Sequence, residues 1–236
     1  MVAFAKIRAR AEERKGGGKA LEALLPKSVS PASLTALTDD RGLAEMSKRI
    51  FCSGFVWSVI EKKWPGFEEA FLGFDPSQLL IQPPDFWDAL TSDKRIVRNG
   101  QKIMAVRTNA QFIADIALEH GSFGRFLAAW PASDQIGLLD LMAKRGARLG
   151  GMTGQYFLRF VGRDGFALSR DVILCLQDAG LDIADAPSSK KDMAKIQAQF
   201  NAWADETALP YTHLSKICAM SIGENYPVDR LHNYSD

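Results

Sequence analysis

The chain has 236 residues, 47% of them hydrophobic and 24% charged, with a formal net charge of +1. That length allows one large domain or two small lobes with a substantial core. The charge balance excludes a general polyanion binder, so any nucleic-acid contact must rest on a local basic surface. No run approaches the roughly 18 to 20 apolar residues of a membrane span. The first ten residues alternate small apolar and basic side chains and lack the apolar core of a secretory signal. A cytoplasmic protein without a membrane partner is expected.

Taken in chain order, the elements read as helices. Residues 1–30 form an N-terminal helical arm, amphipathic and on the surface, ended by Leu25-Pro26-Lys27-Ser28-Val29-Ser30-Pro31. A dense aromatic segment follows, from Phe51 through Gly54, Phe55 and Trp57 to Trp64, Phe67 and Phe71. Aromatic runs usually serve a core. A glycine beside Phe55 and Trp57, however, lets a flat ligand approach, and such rings stack on bases. Asp75-Pro76 and Pro83-Pro84 then interrupt the chain. The basic stretch from Arg95 through Arg98 and Asn99 to Lys102 enters a helix expected over 99–118. Its apolar stripe is Ile103, Val106, Ala110, Ile113 and Ala117. Three cations at a helix entrance are placed against the dipole, so the cluster is either a solvated face or a phosphate-accepting one.

A further helix begins near Ser133, and after it comes the most informative stretch, residues 144–158. Lys144, Arg145 and Arg148 surround a turn containing Gly146, Gly150, Gly151 and Gly154, which runs directly into an apolar helix. Glycines leave backbone N–H groups bare for an anion, and the following helix N-terminus adds positive potential. Asp171 stands at the expected start of the next helix, where an N-cap aspartate is common. A last clear helix, 189–205, is announced by Pro187 and a Ser189/Asp192 capping box. No strand-like alternation is sustained. The fold class read from these patterns is all-α, with ten or so helices.

Cys52, Cys175 and Cys218 are odd in number and lie in apolar settings, which reads as buried free thiols in a reducing compartment. His213 and Cys218 are not matched by a second Cys/His pair, so neither a metal nor a cofactor is expected.

Four segments, in this order, resemble the 3-methyladenine DNA glycosylase I family of the helix-hairpin-helix glycosylase superfamily. They are Gly54-Phe55-Val56-Trp57 with Phe71-x-x-Phe74-Asp75-Pro76, then Arg98 to Ile103 with Asn109-Ala110, then the hairpin from Lys144 to Tyr156. The fourth, Leu168-Ser169-Arg170-Asp171-Val172, resembles the Leu-Pro-Asp-Asp motif of the inducible alkyladenine glycosylases of that superfamily. The resemblance implies a bilobal, all-helical helix-hairpin-helix fold over 31–222, flanked by the arm at 1–30 and a tail at 223–236.

It also implies removal of a flipped, alkylated or otherwise altered base from double-stranded DNA, by a monomer working in a bacterial-type nucleoid. On that resemblance Asp171 is catalytic, stabilising oxocarbenium charge and orienting water. Trp57, Phe55 and Arg49 line the base pocket. Arg148, Gly150, Gly151 and Thr153, with Lys102 and Arg98, hold DNA.

The sequence also departs from the family. Its terminal zinc site has no counterpart. Arg49 stands where the family carries a glutamate that recognises the methylated base. Ala147-Arg148-Leu149-Gly150 replaces Pro-Gly-x-Gly, so the first hairpin glycine is missing. The lysine of the lyase subgroup falls at Met152 or Thr153, so no Schiff base can form and a monofunctional enzyme is expected. The alternative is a DNA-structure-binding protein of the same fold without catalysis.

Overall fold

The computed structural model describes residues 2–26 and 31–225. The expected break at 25–31 and the tail at 223–236 fall largely outside these residues. Among the described residues the regular elements are all helical. In order they are α1 (Phe4–Lys15), α2 (Gly18–Ala23), α3 (Pro31–Thr35), α4 (Asp39–Cys52), α5 (Trp57–Ala70), α6 (Pro76–Leu80) and α7 (Pro84–Leu90). Then come α8 (Gly100–His120), α9 (Phe123–Ala129), α10 (Gln135–Arg145), α11 (Met152–Phe160), α12 (Arg170–Asp178), α13 (Lys190–Thr207) and α14 (Tyr211–Ser221). Fourteen helices replace the ten or so expected. Several of the additional ones have five to seven residues, too few to display a helical period.

The chain divides into two compact units. One is drawn from Met1–Ser28, Pro131–Ile136 and Asp164–Asp236, and the other, central unit from Val29–Trp130 and Gly137–Arg163. Each buries its own core.

In the central unit α8 is the axis. Asn99 caps it, its side-chain oxygen accepting the Lys102 N–H at 3.1 Å. Ile103, Val106, Ala110 and Ile113, spaced by three and four, are wholly buried. The aromatic segment also feeds this core. Phe67, Phe71 and Phe74 are fully buried, and Trp64 stacks on Phe67 and Phe74 with ring centroids 5.3 Å apart in each pair. Asp75 is the cap of α6, accepting the Ser77 N–H at 2.8 Å. The Phe71–Pro76 signature is therefore structural.

In the other unit, Phe4, Ile7 and Ala11 of α1 pack with Cys175 and Leu176 of α12, Ile196, Phe200 and Trp203 of α13, and Leu214, Ile217 and Cys218 of α14. The Phe4 N–H, an orphan donor of the first turn, donates to the Glu206 carboxylate at 3.1 Å. Ser189 caps α13 by accepting the Asp192 N–H at 3.0 Å. The three cysteines are free and buried, and His213 Nε2 lies 2.8 Å from the Pro26 carbonyl. Among the described residues no helix is long and apolar enough to cross a membrane.

Candidate nucleic-acid interface

The hairpin α10–turn–α11 is built from the α8 side. The wholly buried Asn109 accepts the Ala147 N–H at 2.7 Å and donates to the Ala147 carbonyl at 3.1 Å. Leu149 is wholly buried in the central core and anchors the turn from the other side. Two glycines are sterically required. A Cβ on Gly146 would come within 2.9 Å of Asn109 Oδ1, and one on Gly154 would collide with the Leu149 carbonyl.

Between these anchors the backbone takes two left-handed steps, Arg148 at φ 58° and Gly151 at φ 58°, ψ −137°. Arg148 thus adopts, with a side chain, the backbone conformation that glycine supplies freely. Gly151 precedes α11, and no side chain caps that helix. Its first-turn N–H groups are left for an anion. Arg148, Gly150 and Thr153 line one side of an open cleft of about 290 Å³, and Ile50 and Ser53 at the end of α4 line the other. The exposed Arg148 guanidinium donates to the Gln101 side chain.

The remaining cations are placed differently. Lys102, expected to hold DNA, is buried with its ammonium turned inward, donating to the carbonyls of Phe51 at 3.2 Å and Ser53 at 2.5 Å. It closes the C-terminus of α4, where a cation is favoured. Burial and the nearby Arg148 charge push its pKa below that of an ordinary lysine. Its ammonium also sits 4.7 Å from the Phe55 ring centroid. Arg98 is exposed. Arg95 is engaged by Asp93 at 2.7 Å, and Arg145 by both oxygens of Glu119.

Past α4, Gly54 takes φ 75° and turns Phe55 outward, leaving it 42% exposed. Trp57 does not stand open. Its ring meets Tyr156 edge-on at 5.6 Å and Phe160 at 5.8 Å, both on α11. The Arg49 guanidinium lies over both Phe160, 3.8 Å from the ring centroid, and Trp57, at 4.9 Å. Glu45, one turn earlier on α4, reaches Arg49 Nε at 2.7 Å. Burial pushes the Glu45 carboxyl up, against the opposing pull of Arg49 and Lys48. Glu45 and Phe160 were not singled out from the sequence. The four-residue spacing of Glu45 and Arg49 signals the first, whereas nothing local signals Phe160.

Asp171 belongs to the other unit. It is not the N-cap of α12. Ser169 is, its hydroxyl accepting the Val172 N–H at 3.3 Å. The approach to α12 is held by three side chains, each bonding the N–H and the carbonyl of one residue: Thr212 with Gly165, Gln135 with Phe166, and Ser215 with Ala167. Asp171 then projects from the first turn, half-buried, with its carboxylate against Gly223, where a Cβ would collide with it.

Residues 35–138 match the sequence model of the family described as methyladenine glycosylase. The match spans somewhat under half of the chain. Comparison with curated proteins gave no match. Among solved structures, the Methanocaldococcus jannaschii 8-oxoguanine glycosylase/lyase in complex with DNA is 13% identical, with a TM-score of 0.51, covering 94% of this chain and 100% of that one. A second structure of that archaeal glycosylase is 14% identical with a TM-score of 0.51, over 90% and 91% of the two chains. The Staphylococcus aureus 3-methyladenine DNA glycosylase I is 20% identical over 70% of this chain and 88% of that one, with a TM-score of 0.49. The archaeal likeness gives the all-helical glycosylase fold across nearly the whole chain. The methyladenine glycosylase match covers α4 to α9, and so includes Arg49, Phe55, Trp57, Arg98 and Lys102.

Proposed function

We propose that this protein removes an altered base from duplex DNA by hydrolysis of the N-glycosyl bond, as a monomer and without a lyase step. The family match over residues 35–138 supports a DNA glycosylase of base excision repair. The observation that carries the reading within the chain is the hairpin, where Asn109 and Leu149 hold a turn whose uncapped helix start and Arg148 face one cleft. Such a site grips phosphate without reading sequence, and an enzyme acting on a base must hold the backbone while the nucleotide leaves the stack.

Asp171 is assigned the chemistry. With Ser169 serving as the cap, its carboxylate is not needed to start α12. Placed near C1′, it stabilises the oxocarbenium charge and orients or deprotonates the attacking water. Met152 and Thr153, at the lyase position, offer no amine, so no covalent sugar adduct forms.

The test is base release from methylated duplex DNA. Asp171→Asn should abolish turnover and leave DNA affinity nearly unchanged, and borohydride should trap no adduct. A mutant at wild-type rate refutes the assignment of Asp171, and a trapped adduct refutes the monofunctional step. A second reading, a DNA-binding protein of this fold without catalysis, is favoured by one observation: Arg49 already occupies the faces of Trp57 and Phe160. It predicts tight binding to abasic DNA with no base released from any lesion.

A further inference from the structure

The Arg49 side chain is 3% exposed, yet its hydrogen bonding is incomplete. Nη1 and Nε have no aligned hydrogen-bond acceptor among the described residues. The 2.7 Å approach of Glu45 to Nε is a charge contact whose geometry falls short of a hydrogen bond. Guanidinium cannot shed its proton, so its buried donors stay donors. A fold rarely keeps such a group unmet, and where it does a ligand or water commonly completes it. The guanidinium carbon lies over two adjoining rings, 3.8 Å from the Phe160 centroid and 4.9 Å from that of Trp57, the latter the ring expected to stack a base. This is a guanidinium set among aromatic faces, with Nε facing the Glu45 carboxylate and the terminal Nη1 donor unspent.

We infer that Arg49 is the base-reading residue and that it selects a neutral purine presenting a carbonyl at position 6, a hypoxanthine-type base, over a cationic N-alkylated adenine. The inference rests on the glycosylase reading above and names its substrate class. A guanidinium donates in bidentate fashion to a purine O6/N7 edge. An adenine edge sets an amino donor against it and leaves both groups unpaired, and a cationic base adds like-charge repulsion where little water screens it. Glu45 does not restore the opposite preference, because its carboxylate is already committed to the Arg49 charge.

Two measurements separate this inference from the reading beneath it. The first is release of hypoxanthine from a duplex carrying one such base, against release of 3-methyladenine from methylated DNA. The second is a titration of the folded protein with the two free bases, followed by tryptophan fluorescence, which needs no turnover. Wild type should favour hypoxanthine about tenfold or more in release, where the alkylated nucleotide is cationic. The margin should be smaller in the titration, where free 3-methyladenine is neutral and the donor–acceptor edge alone discriminates. Arg49→Gln should erase the preference. Arg49→Lys, which keeps the charge but not the fork, should retain only part of it, and it serves if the glutamine variant does not fold.

A free-base preference that depends on Arg49, without release from any duplex, upholds Arg49 and overturns the glycosylase reading. Equal or stronger response to 3-methyladenine, no response to either base, or a preference unchanged in the Arg49 variants overturns the inference.

Discussion

Asn109 holds both backbone groups of Ala147, accepting from its N–H at 2.7 Å and donating to its carbonyl at 3.1 Å. One buried side chain on α8 thus sets the height of the hairpin turn. Asn109→Asp keeps the acceptor but sets a buried carboxylate oxygen against the Ala147 carbonyl. It should cost about 1 to 3 kcal/mol in urea unfolding at neutral pH, and DNA affinity should fall with it. An unchanged unfolding midpoint would mean that the turn is held by Leu149 and the glycines alone.

Arg148 does two things that pull apart on mutation. Its φ of 58° is costly for a residue with a Cβ, and its guanidinium faces the cleft. Arg148→Gly should therefore stabilise the fold by roughly 1 kcal/mol, while weakening DNA binding and lowering the salt slope of log K by about one. Thermal melting and a salt titration of affinity measure the two arms. A glycine variant that is less stable, or that binds DNA with an unchanged salt slope, would show that the arginine serves the turn and not phosphate.

The sequence made long helices legible and left side-chain direction obscure, for reasons visible in these residues. The α8 stripe and the Ser189 cap depend on neighbours within four positions, so periodicity and a local hydrogen bond define them. The hairpin was legible for the same reason, through glycines whose added Cβ atoms would meet Leu149, Met142 and Asn109. Lys102 had the composition of a phosphate ligand, but the carbonyls at the end of α4 turned it inward, a contact spanning about fifty positions. Arg49 depends on Phe160, still farther along the chain. Taken alone, Asp171 has the local signature of a cap, because aspartate caps often. Ser169, two residues earlier, took that place because its short hydroxyl reaches the Val172 N–H.

Gly223 offers a test of Asp171 that leaves the carboxylate intact. It has φ 73°, and a Cβ there would strike the Asp171 carboxylate. Gly223→Ala should displace that carboxylate and lower base release at least tenfold, while DNA affinity, carried by the hairpin, stays within about twofold. Gly150→Ala is the contrasting change, since its added methyl meets open space in the cleft. It should lower affinity and leave single-turnover release at saturating protein unchanged. Equal turnover in wild type and Gly223→Ala would remove Asp171 from the reaction.

The cap of α6 predicts a pH signature. Hydrogen bonds from the Ser77 hydroxyl, then from the Gln78 side chain, hold the Asp75 carboxyl below the usual range. Its folded pKa is thus lower than its unfolded value, near 3.9 for a free aspartate. The stabilisation is present in full above that unfolded value and is lost as pH falls through the folded one. Asp75→Asn keeps a capping oxygen but cannot titrate, so wild type should exceed it in stability at pH 7 and the gap should close below about pH 4. Asp75→Ala, which has no cap at all, should lose about 1 kcal/mol at pH 7. Urea unfolding of the three proteins from pH 7 to pH 3 measures both effects. A gap between wild type and Asp75→Asn that stays constant to pH 3 would show that Asp75 caps α6 through its geometry alone, with no contribution from its charge.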